Sequence, residues 1–308
     1  MYPRSFHYHR ASSLDEAVTM LGQLGGSAKV LAGGQSLIPL LKLRFANPEH
    51  LVDLNFIPGT SYIRAEAAAL HFGALRFGAM TRHAEIERSA VAKTIPLLHD
   101  CAAGIADVQV RNRGTLGGSL AEADPSGDWA NALITLDTTV HCLGSGGARS
   151  LPLQEFIKDA YTTALAPDEL VTEVEVKIPP KGSAGAYVAF KRSAPVYPSA
   201  SAAVQLTMSG EVCQEAAIAL GCVGLTAIRA TEAEAALRGK ILNANANGND
   251  KTIAAAAEAA RAAADPQPDM RGSAEYKRQL VVALVKRAIQ IAVRRARGEH
   301  VEGVHLYA

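Results

Sequence analysis

Ala32-Gly33-Gly34-Gln35-Ser36 and, much further along the chain, Thr115-Leu116-Gly117-Gly118-Ser119 are the stretches whose reading decides the fold. Each joins an apolar run to a polar segment that carries hydroxyls. Glycine lets backbone amides approach a phosphate with no Cβ in the way, and successive amides in such a turn form an anion nest. Ser36, Thr115 and Ser119 add hydroxyl donors beside those amides. Two nests on separate elements suit a long ligand with two linked phosphates, which points to a dinucleotide. The glycine pairs beginning at Gly25 and Gly146 lack such flanks and read as plain turns, the second within a hairpin turn over Gly144-Ser145-Gly146-Gly147.

The usual nucleotide signatures are absent. There is no GxxxxGK[ST], and no GxGxxG follows a strand, since Gly22 to Gly26 ends a helix instead. Neither HExxH nor GxSxG occurs. The chain has 308 residues, enough for two or three domains, and a net charge of +1 leaves no basic excess for nucleic acid. The longest apolar run near the C-terminus, Leu280 to Val293, is cut by Lys286 and Arg287 and is too short to span a bilayer. Met1 to Phe6 lacks the apolar core of a signal peptide, so the expected compartment is the cytoplasm. Cys101, Cys142, Cys213 and Cys222 are scattered without a CxxC pair and read as reduced, buried thiols rather than metal or cluster ligands. His7 and His9 read as surface residues, and Arg294 and Arg295 as the basic end of a helix.

The local patterns give three regions. Ser13 to Glu16 forms a capping box before Leu14, Ala17, Val18, Leu21 and Leu24 at helical spacing. Ala28 to Ala32 reads as a buried strand, Ser36 to Leu43 as a short helix and His50 to Leu54 as another strand. In the middle, strands are expected at Tyr62 to Arg64, Ala69 to Phe72, Leu75 to Gly78, Thr138 to Leu143 and Leu170 to Ile178. Helices are expected over His83 to Ser89, capped by Thr81, and over Ile95 to Ala103 and Asp128 to Leu136. Asp128 there reads as an N-cap that also accepts a ribityl hydroxyl, while Asp124 with Asp128 is the lesser reading of an acid–base pair. Pro179-Pro180-Lys181-Gly182-Ser183 is the best domain boundary. Beyond it come strands at Ala186 to Lys191, Ala202 to Met208 and Ala216 to Cys222, and a helix starting at Thr226 to Arg229. A loose Asn243 to Asp250 segment, an alanine-rich helix and a long helix over Tyr276 to Arg297 complete the chain.

The two glycine motifs, Asp124-Pro125 with Asp128, and Phe190-Lys191-Arg192 together resemble the FAD-binding subunits of the molybdenum hydroxylases. This family includes the medium subunits of aerobic carbon monoxide dehydrogenases and the flavin domain of xanthine dehydrogenase. The resemblance implies an α+β fold: a PCMH-type FAD-binding region of two α/β subdomains, then a smaller sheet-plus-helix C-terminal domain. The boundaries it implies are 1–57 and 58–179, together the PCMH-type region, then 180–290 and a tail over 291–308. Lys29, Val30, Leu31, Ala32, Gly33, Gly34, Gln35, Ser36 and Leu37 would wrap the pyrophosphate and part of the flavin. Thr115, Gly117, Gly118 and Ser119 would hold the other side of the diphosphate and ribityl, and Asp128 its hydroxyls. Leu170 matches a residue packing near the flavin or adenine, Lys191 a lysine near the flavin, and Tyr197 an aromatic against the isoalloxazine. Two positions depart from the pattern: Gln35 stands where many relatives carry His or a small hydroxyl residue, and Val196 where an acid often precedes the aromatic. The extra cysteine-rich loop of the benzoyl-CoA-reducing branch is missing.

The function implied is the FAD-binding electron-transfer subunit of a heterotrimeric molybdenum hydroxylase. Its partners would be a small subunit with [2Fe–2S] clusters and a large molybdopterin subunit, as a dimer of heterotrimers. Electrons would reach FAD here and leave for an external acceptor. No side chain is assigned a catalytic role, and no metal is expected in this chain. A self-sufficient FAD-dependent oxidase or reductase, and a flavin-free assembly subunit, are the alternatives.

Overall fold

Ser13 sets the first helix as its sequence requires: the hydroxyl accepts from the Glu16 amide at 3.1 Å, and the Glu16 carboxylate accepts from the Ser12 amide at 2.7 Å. This computed structural model describes residues 2–66, 73–90, 92–193, 195–243, 250–301 and 306–307. The first unit runs β1 (His7–Arg10), α1 (Leu14–Leu24), β2 (Ala28–Leu31), α2 (Leu37–Leu43) and β3 (His50–Asp53). Its sheet is parallel, in the order β1-β3-β2. Ala17, Val18 and Leu21 of α1 bury against Ala28 and Val52. Because the sheet is parallel, the chain leaves β2 at one edge and enters α2 through the first glycine turn.

The second unit contains β4 (Ile63–Glu66), β5 (Ala74–Gly78), α3 (His83–Arg88), α4 (Pro96–Gly104), α5 (Val108–Arg111), α6 (Leu116–Glu122) and α7 (Asp128–Leu133). It continues with β6 (Thr138–Gly144), β7 (Gly147–Pro152), α8 (Leu153–Phe156), β8 (Ile157–Asp159), β9 (Thr162–Thr163) and β10 (Leu170–Lys177). Five strands form an antiparallel sheet ordered β4-β5-β10-β6-β7, and the helices cover one face. The expected strand at Ala69 to Phe72 lies outside the described residues. Thr81 does not cap α3: its hydroxyl bonds the Tyr62 backbone, and Arg82 is the cap residue, its amide held by Glu85. The second glycine stretch is not an open turn but the first turn of α6, because Thr115 caps it. Asp128 is the first residue of α7, behind Gly127, rather than its cap.

The third unit runs β11 (Ser183–Lys191), β12 (Ala200–Ser209), β13 (Val212–Gly221), β14 (Ile228–Arg229), α9 (Thr231–Leu237), α10 (Lys251–Ala263), α11 (Ala274–Ala296) and β15 (Leu306–Tyr307). The sheet order is β14-β13-β12-β11-β15. The helix expected to begin at Thr226 begins at Thr231 instead. Ile228 and Arg229 pair as strand with Leu220 and Ala219, and the Arg229 guanidinium binds Glu234 at 2.7 Å. Most of Asn243 to Asp250 lies outside the described residues, and Asp250 caps α10. The helix α11 runs without a break through residue 290.

The strand β11 is buried along nearly its whole length because alternate residues serve two cores. Ala186 and Val188 join the core under α10 and α11, whereas Tyr187 and Ala189 join the core of the second unit. A buried ion pair fixes the same junction. Arg295 of α11 binds Asp100 of α4 at 2.6 Å and the Gly185 carbonyl at 2.8 Å. The four cysteines are free and buried, as expected. Among the described residues no helix is long and apolar enough to cross a membrane.

Candidate functional site

All three units meet at a cleft of about 280 Å³, bounded by the first glycine turn, the starts of α6 and α7, and the end of β11. The first wall is the turn itself. Gly34 has φ +73°, a left-handed conformation that favours glycine, and a Cβ on Gly33 would lie 2.3 Å from the Arg113 carbonyl. Among the described residues, the amides of residues 33–36 meet no protein acceptor. Four successive unmet amides are costly unless an acceptor or water covers them, and an anion fits them best.

The second wall differs. Thr115 Oγ1 accepts from the Gly118 amide at 3.1 Å. The Leu116 amide donates to Thr81 O at 3.0 Å, Gly117 to Ala79 O at 2.9 Å and Ser119 to Thr115 O at 3.0 Å. Gly117 does not line the cleft. A Cβ there would lie 2.6 Å from Ala79 Cβ and 2.8 Å from Ala79 O, so this glycine lets α6 lie against the chain leaving β5. Gly118 and Ser119 do face the cleft, and a Cβ on Gly118 would sit 3.5 Å from Ala32 Cβ, where the two walls approach.

Charge and aromatic groups close the third side. Lys191 is 1% exposed, and its ammonium donates to the Gly104 carbonyl at the end of α4. Asp128 accepts from the Tyr187 hydroxyl at 2.6 Å. Burial, then the Asp128 charge, pushes the Tyr187 phenol well above its usual pKa, so it stays a donor. Burial raises Glu122 in the same cleft, with Asp124 adding to the effect and Lys29 opposing it. Tyr197 lies at the mouth, with the Arg271 guanidinium 6.0 Å from its ring centre.

Of the residues singled out from sequence, Val30, Ala32 to Leu37, Thr115, Gly118, Ser119, Asp128, Lys191 and Tyr197 line this cleft. Lys29 is exposed outside it, and Leu170 packs in the core of the first unit. Leu31 faces a second, more open hollow of about 460 Å³ on the other side of the turn, shared with Asn55, Phe56 and Arg82. Sequence reasoning missed His83, Ile105, Ala106, Val110 and Gly114 as lining residues, while Asp124, singled out within the family motif and as the lesser acid–base partner of Asp128, lines the cleft as well. Ala106, at φ +41°, is a strained non-glycine residue on the wall. His83 carried no motif, because its partner Trp129 is distant in sequence.

Unmet amides in a row, two carboxylates for hydroxyls, a buried cation and an aromatic at the mouth fit FAD. Residues 4–180 match the family described as FAD binding domain in molybdopterin dehydrogenase, and residues 185–292 match the CO dehydrogenase flavoprotein C-terminal domain. The chain is 39% identical to the carbon monoxide dehydrogenase medium chain of Afipia carboxidovorans, over 96% of this chain and 100% of that one. It is also 39% identical to the alpha subunit of the 6-hydroxypseudooxynicotine dehydrogenase complex of Paenarthrobacter nicotinovorans, over 96% and 97%. Among solved structures it matches carbon monoxide dehydrogenase from Hydrogenophaga pseudoflava with a TM-score of 0.89 and 40% identity, covering 96% of this chain and 99% of that one.

Proposed function

The chain belongs to the FAD-binding medium subunits of the molybdenum hydroxylases, and from that membership we propose that it carries electrons from [2Fe–2S] clusters of a small subunit to an external acceptor. As a family member it is an oxidoreductase component that binds FAD. The partners in this reading are a small iron–sulfur subunit and a large molybdopterin subunit, assembled as a dimer of heterotrimers in the cytoplasm. The substrate is set by the large subunit.

The observation that carries the reading is the run of four unmet amides at residues 33–36, in a turn that lines a cleft whose opposite side holds Lys191 and Asp128. FAD, when bound, supplies the exchange between one-electron donors and a two-electron acceptor. In this assignment the amides of residues 33–36 bind the diphosphate, helped by the Ser36 and Ser119 hydroxyls. Asp128 accepts from a ribose or ribityl hydroxyl while Tyr187 holds its other side. Lys191 places a positive charge in a water-poor setting, where a cation favours negative charge on the cofactor. Tyr197 limits water at the mouth.

Purification of the tagged chain from a host that also expresses its neighbouring genes tests this. The expected result is flavin bands with iron–sulfur absorbance and two further polypeptides. Flavin with full turnover and no partner subunit supports a self-sufficient flavoenzyme instead. A colourless chain that FAD does not restore supports an assembly role.

A further inference from the structure

His83 is a cleft residue that no sequence motif marks. It is 5% exposed, and its Nδ1 lies 3.0 Å from the Trp129 indole nitrogen. An indole N–H only donates, so Nδ1 must accept, and the imidazole proton sits on Nε2. Trp129 is itself 1% exposed, with its ring 6.0 Å from the histidine ring, so the tautomer is fixed by rigid packing. Among the described residues Nε2 meets no protein acceptor, and the side chain lines the cleft.

Gly114 supports the same reading. Its backbone is not in the left-handed region, so conformation does not demand glycine there. A Cβ at Gly114 would lie 2.6 Å from His83 Nε2 and 2.8 Å from Cδ2. Any side chain would cover the Nε2–H group. The missing Cβ keeps that donor open to the cleft, where a ligand can supply the acceptor that the described protein residues do not.

We propose that His83 is a cofactor-binding residue whose Nε2–H group donates a hydrogen bond to an oxygen or unprotonated ring nitrogen of bound FAD, with Trp129 as its positioning residue. The proposal rests on the FAD assignment and extends it to a residue from α3. It gives the cleft a neutral donor, distinct from the charged Lys191 and from the backbone donors of the glycine turn.

The test uses the full chain, freed of flavin and titrated with FAD. His83→Phe keeps a flat ring but removes the donor, His83→Gln restores an N–H group, and Trp129→Phe frees the tautomer. The expected result is roughly tenfold weaker FAD binding in His83→Phe, partial recovery in His83→Gln and a smaller loss in Trp129→Phe. Thermal unfolding without FAD separates binding loss from misfolding. If His83→Phe fails to fold, the assignment is decided on the wild-type chain by nitrogen-15 NMR. There the Nε2–H signal moves on FAD addition while the Nδ1 signal stays hydrogen-bonded. Unchanged FAD affinity in His83→Phe, or an Nε2–H signal insensitive to FAD, overturns the proposal while leaving the FAD assignment standing. A wild-type chain that takes up no FAD overturns both.

Discussion

The two glycine stretches look alike in sequence and do opposite work. In the first, the amides of residues 33–36 meet no acceptor among the described residues, and those residues line the cleft. In the second, Thr81, Ala79 and Thr115 accept from all four amides of residues 116–119, so the donors are consumed inside the protein. The glycine at 33 is required by the Arg113 carbonyl behind it, and the one at 117 by Ala79. A Gly-Gly pair therefore records a close approach, but not whether a ligand or the chain itself is what approaches.

Substitutions that separate the two jobs sharpen this contrast. The largest effect is expected for Gly117→Val. The branched side chain would enter the Ala79 backbone, costing about 3 kcal/mol or more of stability. Urea unfolding of the flavin-free chain measures it, and a normally stable variant that only loses FAD would return Gly117 to the binding site. Next is Ser36→Glu, which sets a carboxylate among the unmet amides. FAD affinity should fall about a hundredfold, or about 2.7 kcal/mol, with little change in stability. Unaltered affinity would break the assignment of residues 33–36 to the diphosphate.

A third prediction concerns His83, which packs beside the approach to the second stretch. Burial, then Arg82 and Arg111, lowers its pKa to about 3 from the model-compound value of 6.5. Below pH 6.5 the unfolded chain takes up a proton that the folded chain refuses, so stability is held above that pH and lost on the way down to about pH 3. From pH 7 to pH 5 this group should cost about 2 kcal/mol. His83→Leu, measured without FAD, should flatten the profile by that amount, and an unchanged profile would sink the account. The smallest effect is expected for Thr115→Ala. It removes the side-chain cap of α6 and should cost about 1 kcal/mol. A larger drop in FAD affinity than in stability would show that the Thr115 hydroxyl also reaches the ligand.

Much of the fold was legible from short-range signals. The Ser13 capping box, the Ser145-Gly146 hairpin and the strands β10 to β13 depend on neighbours in sequence, and local patterns located them. Two of the misreadings share one cause. Ile228 and Arg229 look like a helix start until Leu220 and Ala219 offer a strand edge. Thr81 looks like a cap until Tyr62 claims its hydroxyl. In each case a partner on or beside a neighbouring strand outbid the preference of the adjacent residues.

The sequence by itself determined the α+β class, the places of the two glycine stretches and the family resemblance, because these reside in periodicity, turn chemistry and motif order. Tertiary structure alone decided that Gly117 packs against Ala79, that β11 serves two cores, and that Trp129 bonds His83 beside the cleft. Hydrogen-bond satisfaction is a property of the folded surroundings: the same amide is a ligand donor or a closed internal bond according to what the rest of the chain places in front of it.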